Sequence, residues 1–332
     1  MILITGGTGL IGSFLIKQLL AEGASLKVLY RQEIPQAFSN LKQLEWIKGD
    51  ILDIALLRQL IPEVTQVYHC AGLVSYAPQD AALLKEINVT GTANVVNACL
   101  ENPGIKLCHV SSIAAIGHQK SKKVLDENTK WDANVAHSVY ASSKYFGELE
   151  VWRGISEGLQ AVIVNPSVVL GPAANWNRSS TQLFKYVYQE RPFYTDGSAN
   201  FVDVRDVIAA MVALQKSDIT AERFILNAGV LSYKNFFQEV AKGLQKQAPR
   251  VKVPAFITEI IWRTEQVRAL FSGKRPLITK ETARAAQKMH LYSNDKIKDT
   301  LGFTFTPLNQ TIDWCCREIL KEQLVNQNRV NI

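Results

Sequence analysis

The chain opens with the apolar run Ile2–Ile4 and the glycine-rich stretch Thr5-Gly6-Gly7-Thr8-Gly9-Leu10-Ile11-Gly12, and a helical pattern follows over Ser13–Glu22. Glycines at every third position lack a Cβ, so a bound group can approach the backbone closely. A turn that opens a helix also presents backbone N–H groups at the positive end of the helix, where phosphate binds. This strand, turn and helix therefore predict a dinucleotide site at the start of the chain.

Short β-rich runs alternate with helical stretches over the first 170 residues. The predicted strands are Leu26–Tyr30, Glu45–Ile47, Gln66–Ala71, Lys106–Ser111 and Ala161–Asn165, and the predicted helices are Ser13–Glu22, Ile54–Leu60, Ala81–Leu100 and Val139–Ser156. This alternation is typical of an α/β fold with a Rossmann-type, doubly wound parallel sheet. We expect its ligand at the carboxyl ends of the strands, where the strand order reverses.

The later chain is mostly helical and predicts a smaller C-terminal substrate lobe. Predicted helices there are Phe236–Leu244, Ile257–Phe271, Thr279–Lys288 and Ile312–Glu322, whereas Phe201–Leu214 and Phe224–Asn227 are expected to rejoin the sheet. We therefore assign residues 1–172 and about 201–230 to the NAD(P)-binding domain, and about 173–200 and 231–332 to the substrate-binding lobe.

Composition narrows the class of protein. The 332 residues are 47% hydrophobic and 20% charged, which is typical of a globular chain, and the net charge is +7. Five scattered cysteines and no zinc-ligand spacing predict a reduced, metal-free cytoplasmic protein. No apolar segment is long enough for a membrane span or a signal peptide. Nine lysines and arginines in residues 262–298 predict a solvated basic face, and we expect no nucleic-acid partner.

The end of the second predicted strand bears on the choice of dinucleotide. An acid there favours the 2′-hydroxyl of NAD, whereas an arginine accommodates the 2′-phosphate of NADP. Here Tyr30 is followed by Arg31, and the first acid after it is Glu33. The sequence therefore favours NADP and leaves NAD as the alternative.

A tyrosine and a lysine four residues apart, Tyr140 and Lys144, begin a predicted helix and lie on one of its faces. An ammonium beside a phenol lowers the phenol's pKa and makes it a usable proton donor and acceptor. Tyr292 and Lys296 have the same spacing, but only Tyr140 follows a serine pair, Ser111-Ser112, at the end of a strand. We therefore predict proton-transfer chemistry at Tyr140.

These motifs recur in the order typical of the extended short-chain dehydrogenases/reductases, in the NAD-dependent epimerase/dehydratase superfamily. The chain resembles that family over nearly its whole length. The resemblance also includes Gly49-Asp50-Ile51-Leu52-Asp53, His69-Cys70-Ala71-Gly72, Asn88-Val89-Thr90-Gly91-Thr92, Ser111–Gly117, Asn165–Pro172 and Phe201–Val207.

The resemblance implies residue roles. Tyr140 would exchange a proton with the substrate oxygen, Lys144 would assist it and bind the nicotinamide ribose, and Ser112 would hydrogen-bond the substrate oxygen. Asn88 completes the catalytic set as a helix support and proton relay. The implied cofactor-binding residues are Thr5, Gly6, Thr8, Gly9, Leu10, Ile11, Gly12, Arg31, Asp50, Ile51, Cys70, Ala71, Gly72, Val110, Tyr140, Lys144, Asn165, Pro166, Ser167 and Val168.

Three functions compete: a ketone/aldehyde reductase or alcohol dehydrogenase, a nucleotide-sugar epimerase that retains NAD, and a non-catalytic dinucleotide sensor. Family dehydratases carry Asp-Glu after the catalytic serine or threonine, where this chain has Ile113-Ala114. Arg31 departs from the acid usual in epimerases. Lys274–Thr279 resembles the dihydroflavonol-reductase and 3β-hydroxysteroid-dehydrogenase branch, so the reductase is preferred.

The substrate pocket is predicted from apolar and aromatic residues: Val74, Tyr76, Ile113 and Trp176. Such a lining suits an apolar or aromatic carbonyl compound or its alcohol, whereas the basic residues of 262–298 favour an anionic group as the alternative. The resemblance further implies a homodimer formed through the helices Ala81–Leu100 and Val139–Ser156.

Overall fold

A computed structural model of the protein describes residues 1–38, 41–117, 123–172, 180–272 and 290–330. Its strands are β1 (Ile2–Thr5), β2 (Leu26–Tyr30), β3 (Leu44–Lys48), β4 (Gln66–His69), β5 (Lys106–Val110), β6 (Val124–Leu125), β7 (Gln160–Pro166), β8 (Val168–Leu170), β9 (Phe193–Tyr194), β10 (Ser198–Asp203), β11 (Glu222–Leu226), β12 (Gly229–Ser232), β13 (Val251–Lys252) and β14 (Leu291–Tyr292).

The α-helices of the described residues include most of the predicted ones and also Thr181–Tyr188 and Asp295–Leu301, which were not predicted. They are α1 (Leu10–Ala21), α2 (Ile54–Leu60), α3 (Ala81–Lys85), α4 (Gly91–Leu100), α5 (Val139–Ser156), α6 (Thr181–Tyr188), α7 (Val204–Lys216), α8 (Tyr233–Leu244), α9 (Ala255–Ser272), α10 (Asp295–Leu301) and α11 (Leu308–Val330). The predicted helix Thr279–Lys288 and the motif Lys274–Thr279 lie outside the described residues.

The chain divides into two compact units. The first comprises Met1–Pro166, Val204–Leu226 and Ser293–Phe303, and the second comprises Ser167–Asp203, Asn227–Tyr292 and Thr304–Ile332. The boundaries drawn from the sequence, at residue 172 and at about 201 and 230, stay a prediction.

A seven-stranded sheet in the order β11-β7-β5-β4-β1-β2-β3 forms the centre of the first unit. All of its pairings are parallel. The chain runs outward from β1 to β3 and then crosses back to β4 on the other side of β1. The strand order therefore reverses between β1 and β4, where a doubly wound sheet binds its ligand. The predicted Rossmann-type fold is confirmed.

The strands are apolar because helices cover the sheet. Leu3, Val67, Leu107 and Ile163 are buried in one cluster with residues of α4 and α5. Two residues further along three of these strands, the same face of the sheet becomes polar. The residues at these positions are buried and lie side by side in register: Thr5, His69 and His109. The carboxyl end of the sheet thus carries a buried polar row below the helices.

The second unit has its own core. β10 pairs with β8 in parallel and with β12 antiparallel, so Phe201 joins this small sheet and the expectation that it rejoins the large one is wrong. Phe201 stacks on Phe236 with ring centroids 4.8 Å apart. Cys315 and Cys316 are fully buried beside them.

The helix predicted over Ala81–Leu100 is divided. A π-helical turn, Glu86–Thr90, separates α3 from α4 and contains Asn88. Such turns often occur at functional sites. No helix among the described residues combines the length and apolarity needed to cross a membrane.

Candidate active site

The predicted glycine turn lies between β1 and α1, at the point where the sheet order reverses. Gly6 has φ 72°, and a Cβ there would come within 2.5 Å of the Ala71 backbone nitrogen. A Cβ on Gly12 would clash with the Gly6 carbonyl oxygen. The turn is therefore packed backbone against backbone, which only glycine permits.

The start of α1 is open to an anion. Gly9 is its N-cap residue and has no side chain to accept from the first backbone N–H groups. Leu10, Ile11 and Gly12 follow it in the first turn, and Thr8 precedes it. A pyrophosphate fits this cradle because helix N-termini bind phosphate through such N–H groups.

Two predicted contacts to the adenosine half of the cofactor meet at the ends of β2 and β3. The Arg31 Nη1 lies 3.5 Å from the Asp50 Oδ2, and the Arg31 side chain is 60% exposed. The other oxygen of Asp50 accepts from the Leu52 backbone nitrogen at 3.1 Å. Asp50 is therefore held in place, and the exposed guanidinium of Arg31 lies beside it.

The predicted residues Ile51, Cys70, Ala71 and Gly72 follow β3 and β4. Ile51 is 4% exposed and packs into the core. Its carbonyl accepts from Asn94 Nδ2 at 3.1 Å. Burial raises the pKa of the Cys70 thiol to about 12, so it stays protonated and unreactive at neutral pH.

Tyr140 lies in the first turn of α5 and its side chain hydrogen-bonds that of Ser112. Ser112 begins a 3₁₀ turn at the end of β5, where its Oγ accepts from the Ala114 backbone nitrogen at 3.2 Å. The structure therefore brings the predicted serine and tyrosine together.

The pKa of Tyr140 corrects the sequence-based expectation of a lowered value. Burial raises the pKa of this phenol, and the hydrogen bond with Ser112 only partly opposes the rise. The Lys144 ammonium is not among the groups that shift this pKa, and its Nζ donates to the Val110 carbonyl at 2.8 Å. Tyr140 is therefore a protonated phenol at neutral pH.

Lys144 is buried at the same end of the sheet. Burial lowers its pKa to about 8, while Glu148 and Cys70 act in the opposite direction. A Cβ placed on Gly72 would lie 3.5 Å from Lys144 Nζ. Lys144 thus reaches the strand end predicted to line the cofactor.

Asn88 supports the site through three hydrogen bonds. Its Oδ1 accepts from the Leu73 backbone nitrogen at 2.7 Å, and its Nδ2 donates to the Leu73 carbonyl at 2.9 Å and to Ser143 Oγ at 2.9 Å. Since both amide hydrogens are used within the protein, the geometry favours the supporting role predicted for Asn88 over substrate contact.

Glu148 was not identified from the sequence. It is 1% exposed and lies one turn after Lys144, where it accepts hydrogen bonds from four side chains. The donors are Ser111 Oγ at 2.7 Å, Asn165 Nδ2 at 2.7 Å, Arg223 Nη1 at 2.9 Å and Trp152 Nε1 at 3.3 Å. Its spacing of four and eight residues from Lys144 and Tyr140 is the signal that could have revealed it.

Asn165 extends this contact to Ser112. Its Nδ2 also donates to the Ser112 carbonyl at 3.0 Å. Pro166 ends β7, and the predicted Ser167 and Val168 open the second unit. Glu148 therefore holds the Asn165 side chain, which in turn holds the backbone of Ser112.

Three of the four predicted substrate residues lie in the described part of the structure. Tyr76 is 39% exposed and its ring centroid lies 5.5 Å from that of Tyr140. Val74 is 55% exposed, and Ile113 follows Ser112 in a half-buried position. Trp176 lies outside the described residues. Within the part of the chain that the structure describes, no cluster of His, Cys, Asp and Glu could hold a metal ion.

Residues 2–229 match the NAD dependent epimerase/dehydratase family. The chain belongs to this family. It is therefore an oxidoreductase that depends on a nicotinamide dinucleotide, as the glycine turn and the resemblance predicted.

Two relatives carry reductase names. A Synechocystis sp. protein provisionally named dihydroflavonol 4-reductase is 28% identical over 93% of this chain and 91% of its own length. Cinnamoyl-CoA reductase 1 of Petunia hybrida is 27% identical, over 94% and 90%.

A solved structure supports the fold. The UDP-glucose 4-epimerase of Thermus thermophilus, in complex with NAD, aligns with a TM-score of 0.75 at 21% identity, covering 96% of this chain and 98% of that one. At this identity the likeness shows the shared architecture alone.

Proposed function

We propose that the protein reduces a ketone or aldehyde to the alcohol, with NADPH as the hydride donor. The observation that carries this proposal is the Ser112–Tyr140 hydrogen bond at the carboxyl edge of the sheet, with Lys144 one turn further along α5. The reductase names of both relatives support it.

The protein's residues supply the proton and fix the substrate oxygen. When bound, the dinucleotide would supply a hydride to the carbonyl carbon. Tyr140 gives its phenolic proton to the carbonyl oxygen, and Ser112 hydrogen-bonds the same oxygen and stabilises its developing charge. Hydride and proton together convert the carbonyl compound to the alcohol, and Tyr140 is reprotonated from solvent.

The protonation state of Tyr140 supports the direction of reduction. Its pKa is raised by burial, so the phenol is ready to donate a proton at pH 7. Alcohol oxidation would need the phenolate, which burial disfavours.

NADP as the cofactor is supported by Arg31. Its guanidinium is 60% exposed at the end of β2, where the adenosine ribose binds in doubly wound sheets. Asp50, 3.5 Å away, leaves it accessible.

An aromatic or apolar carbonyl compound is the proposed substrate class. Tyr76 supports this because its ring lies against that of Tyr140 and is partly exposed. The apolar and aromatic lining expected from the sequence, which includes Trp176, supports the same class, whereas the basic residues of 262–298 would instead favour an anionic group.

We also propose a homodimer and a cytoplasmic location. Phe146 and Leu149 on α5 are 51% and 40% exposed, which supports helix pairing between two copies. Light scattering of the purified protein tests the dimer, and a monomer at micromolar concentration contradicts it.

The test of the function starts from the nucleotide. The purified protein is denatured and any released nucleotide identified, and then NADPH oxidation is followed with aromatic ketones and aldehydes. A reductase takes up NADPH into an empty site and consumes it. Tightly retained NAD, with isomerised sugar nucleotide as product, contradicts the proposal in favour of the epimerase, and absence of any turnover favours the sensor.

Tyr140→Phe tests the proton donor. We expect turnover to fall by about 10²–10⁴-fold, because general acid catalysis is lost, while the Kd for NADPH is unchanged. Tyr145→Phe is the matched control on the same helix, since the Tyr145 ring stacks on Trp131 with ring centroids 4.2 Å apart. Equal turnover in the two variants would exclude Tyr140 from the reaction.

A further inference from the structure

His69, at the end of β4, is held from both sides. Its Nδ1 lies 2.7 Å from Thr5 Oγ1, and its Nε2 lies 3.0 Å from Thr92 Oγ1. The ring is fully buried. Burial and the nearby Lys144 ammonium lower its pKa to about 3, so the imidazole is neutral at pH 7.

The two threonines determine where the ring proton lies. The single hydroxyl hydrogen of Thr92 is donated to the Asn88 carbonyl at 2.8 Å, so its oxygen can only accept from His69. Nε2 therefore carries the proton, and Nδ1 accepts from the Thr5 hydroxyl. The Thr5 oxygen in turn accepts from the Ala71 backbone nitrogen at 3.3 Å.

This chain of bonds joins two parts of the site. On the Nδ1 side, Thr5 directly precedes Gly6, whose turn is packed on the Ala71 backbone. On the Nε2 side, Thr92 reaches the π-helical turn at Asn88.

The Asn88 end of the chain leads to the catalytic helix. Asn88 Nδ2 donates to Ser143 Oγ, and Ser143 Oγ donates to the Tyr140 carbonyl at 2.8 Å. A Cβ on Gly147 would clash with the Asn88 carbonyl oxygen, so α5 is packed directly on the same turn.

We propose that His69 is a positioning residue that fixes the dinucleotide turn through Nδ1 and the catalytic helix α5 through Nε2. Each ring nitrogen then serves one end of the reaction: Nδ1 sets how firmly the dinucleotide binds, and Nε2 sets how well Tyr140 is aligned. The dinucleotide and turnover consequences rest on the proposed function, whereas the tautomer does not.

The tautomer is tested first, on the protein without added nucleotide. In ¹⁵N spectra of histidine-labelled protein at pH 7, the signals that vanish in His69→Asn belong to His69. We expect a neutral ring with the proton on Nε2. A proton on Nδ1, or an imidazolium, would overturn the proposal.

Two amide substitutions then separate the two ends of the ring. The Asn side chain reaches the place of Nδ1 and keeps a partner for Thr5, whereas the Gln side chain reaches the place of Nε2 and keeps a partner for Thr92. We expect His69→Asn to lower kcat by about tenfold with an unchanged Kd for NADPH. His69→Gln should instead raise the Kd for NADPH by about tenfold with little change in kcat.

His109 offers the matched control. It is equally buried and its ring lies 5.1 Å from that of His69. Both of its nitrogens lack a hydrogen-bond partner among the described residues. We expect His109→Asn and His109→Gln to resemble each other in Kd and in kcat.

The outcomes separate this inference from the proposed function. If His69→Asn and His69→Gln change Kd and kcat in the same proportion, His69 only fills space and the proposal is wrong. If the parent protein binds NADPH but reduces no carbonyl compound, the proposed function fails. The tautomer and the difference in Kd between the two variants still decide the role of His69.

Discussion

Burial, more than charge, sets the protonation of the two central side chains. It raises the pKa of Tyr140 and lowers that of Lys144 to about 8. Sequence spacing placed both side chains on one helix face, but it could not show that the Lys144 ammonium would donate a hydrogen bond to the Val110 carbonyl. Desolvation depends on the folded surroundings, so its effect on a pKa cannot be predicted from spacing.

The dinucleotide preference can be tested at Arg31. Arg31→Ala removes the cation proposed to bind the 2′-phosphate, so we expect the Kd for NADPH to rise about tenfold or more. The Kd for NADH should change by less than about twofold, because NADH carries no 2′-phosphate. Fluorescence titration with both nucleotides measures the ratio.

Lys48→Ala is the control for general charge effects, since Lys48 is another exposed cation, at the end of β3. We expect it to leave the NADPH preference intact. If the parent protein binds both nucleotides equally, or if Arg31→Ala weakens both equally, the proposed NADP preference is wrong.

The element most clearly predicted from sequence is the β1–turn–α1 unit, and glycine substitutions test its packing. Gly6→Ala and Gly23→Ala both put a side chain at positive φ, 72° and 80°, which costs about 1–2 kcal/mol. Only at Gly6 does the new Cβ meet backbone, whereas at Gly23 nothing lies within 4 Å. Urea unfolding should show Gly6→Ala to be less stable than Gly23→Ala by about 1–3 kcal/mol.

NADPH titration supplies the second measurement on these variants. Gly6→Ala should weaken binding because the turn must move, and Gly23→Ala should bind like the parent. Equal stability and equal affinity in the two variants would mean that the turn is not packed as described.

Local sequence patterns predicted the exact bounds of some helices and strands and missed other features. The bounds of β2, α2 and α5 match the sequence-based ones. The π-helical turn at Asn88 was missed, because its sequence continues the helical pattern on both sides and the extra residue is accommodated by packing against α5. Glu148 was missed for a similar reason, since its donors come from separate segments of the chain that only the fold brings together.

At the scale of the whole molecule, alternation of strands and helices predicted the fold class, whereas strand partners depend on long-range packing. Phe201 and Phe224 both lie in apolar runs that look alike in sequence. The structure places Phe224 in the large sheet and Phe201 in the smaller sheet of the second unit.

The buried polar row makes the stability of the whole protein depend on pH. Burial lowers the pKa of His69 to about 3 and that of His109 well below its usual value near 6.5. In acid the unfolded chain therefore binds protons that the folded chain cannot. The free energy of unfolding should be unaffected by these groups above about pH 6.5 and should fall as the pH drops below it, by up to about 1.4 kcal/mol per pH unit for each histidine.

His109→Leu isolates one of these contributions. The His109 nitrogens have no hydrogen-bond partner among the described residues, so an apolar side chain of similar size removes an unfavourable burial and breaks no described bond. Urea unfolding between about pH 7.5 and 4.5 should show equal or higher stability than the parent at the upper end of that range. Below about pH 6.5 its slope should be shallower by about 1.4 kcal/mol per pH unit. A slope identical to that of the parent would mean that His109 can take up a proton in the folded protein, and the buried row would then be open to water.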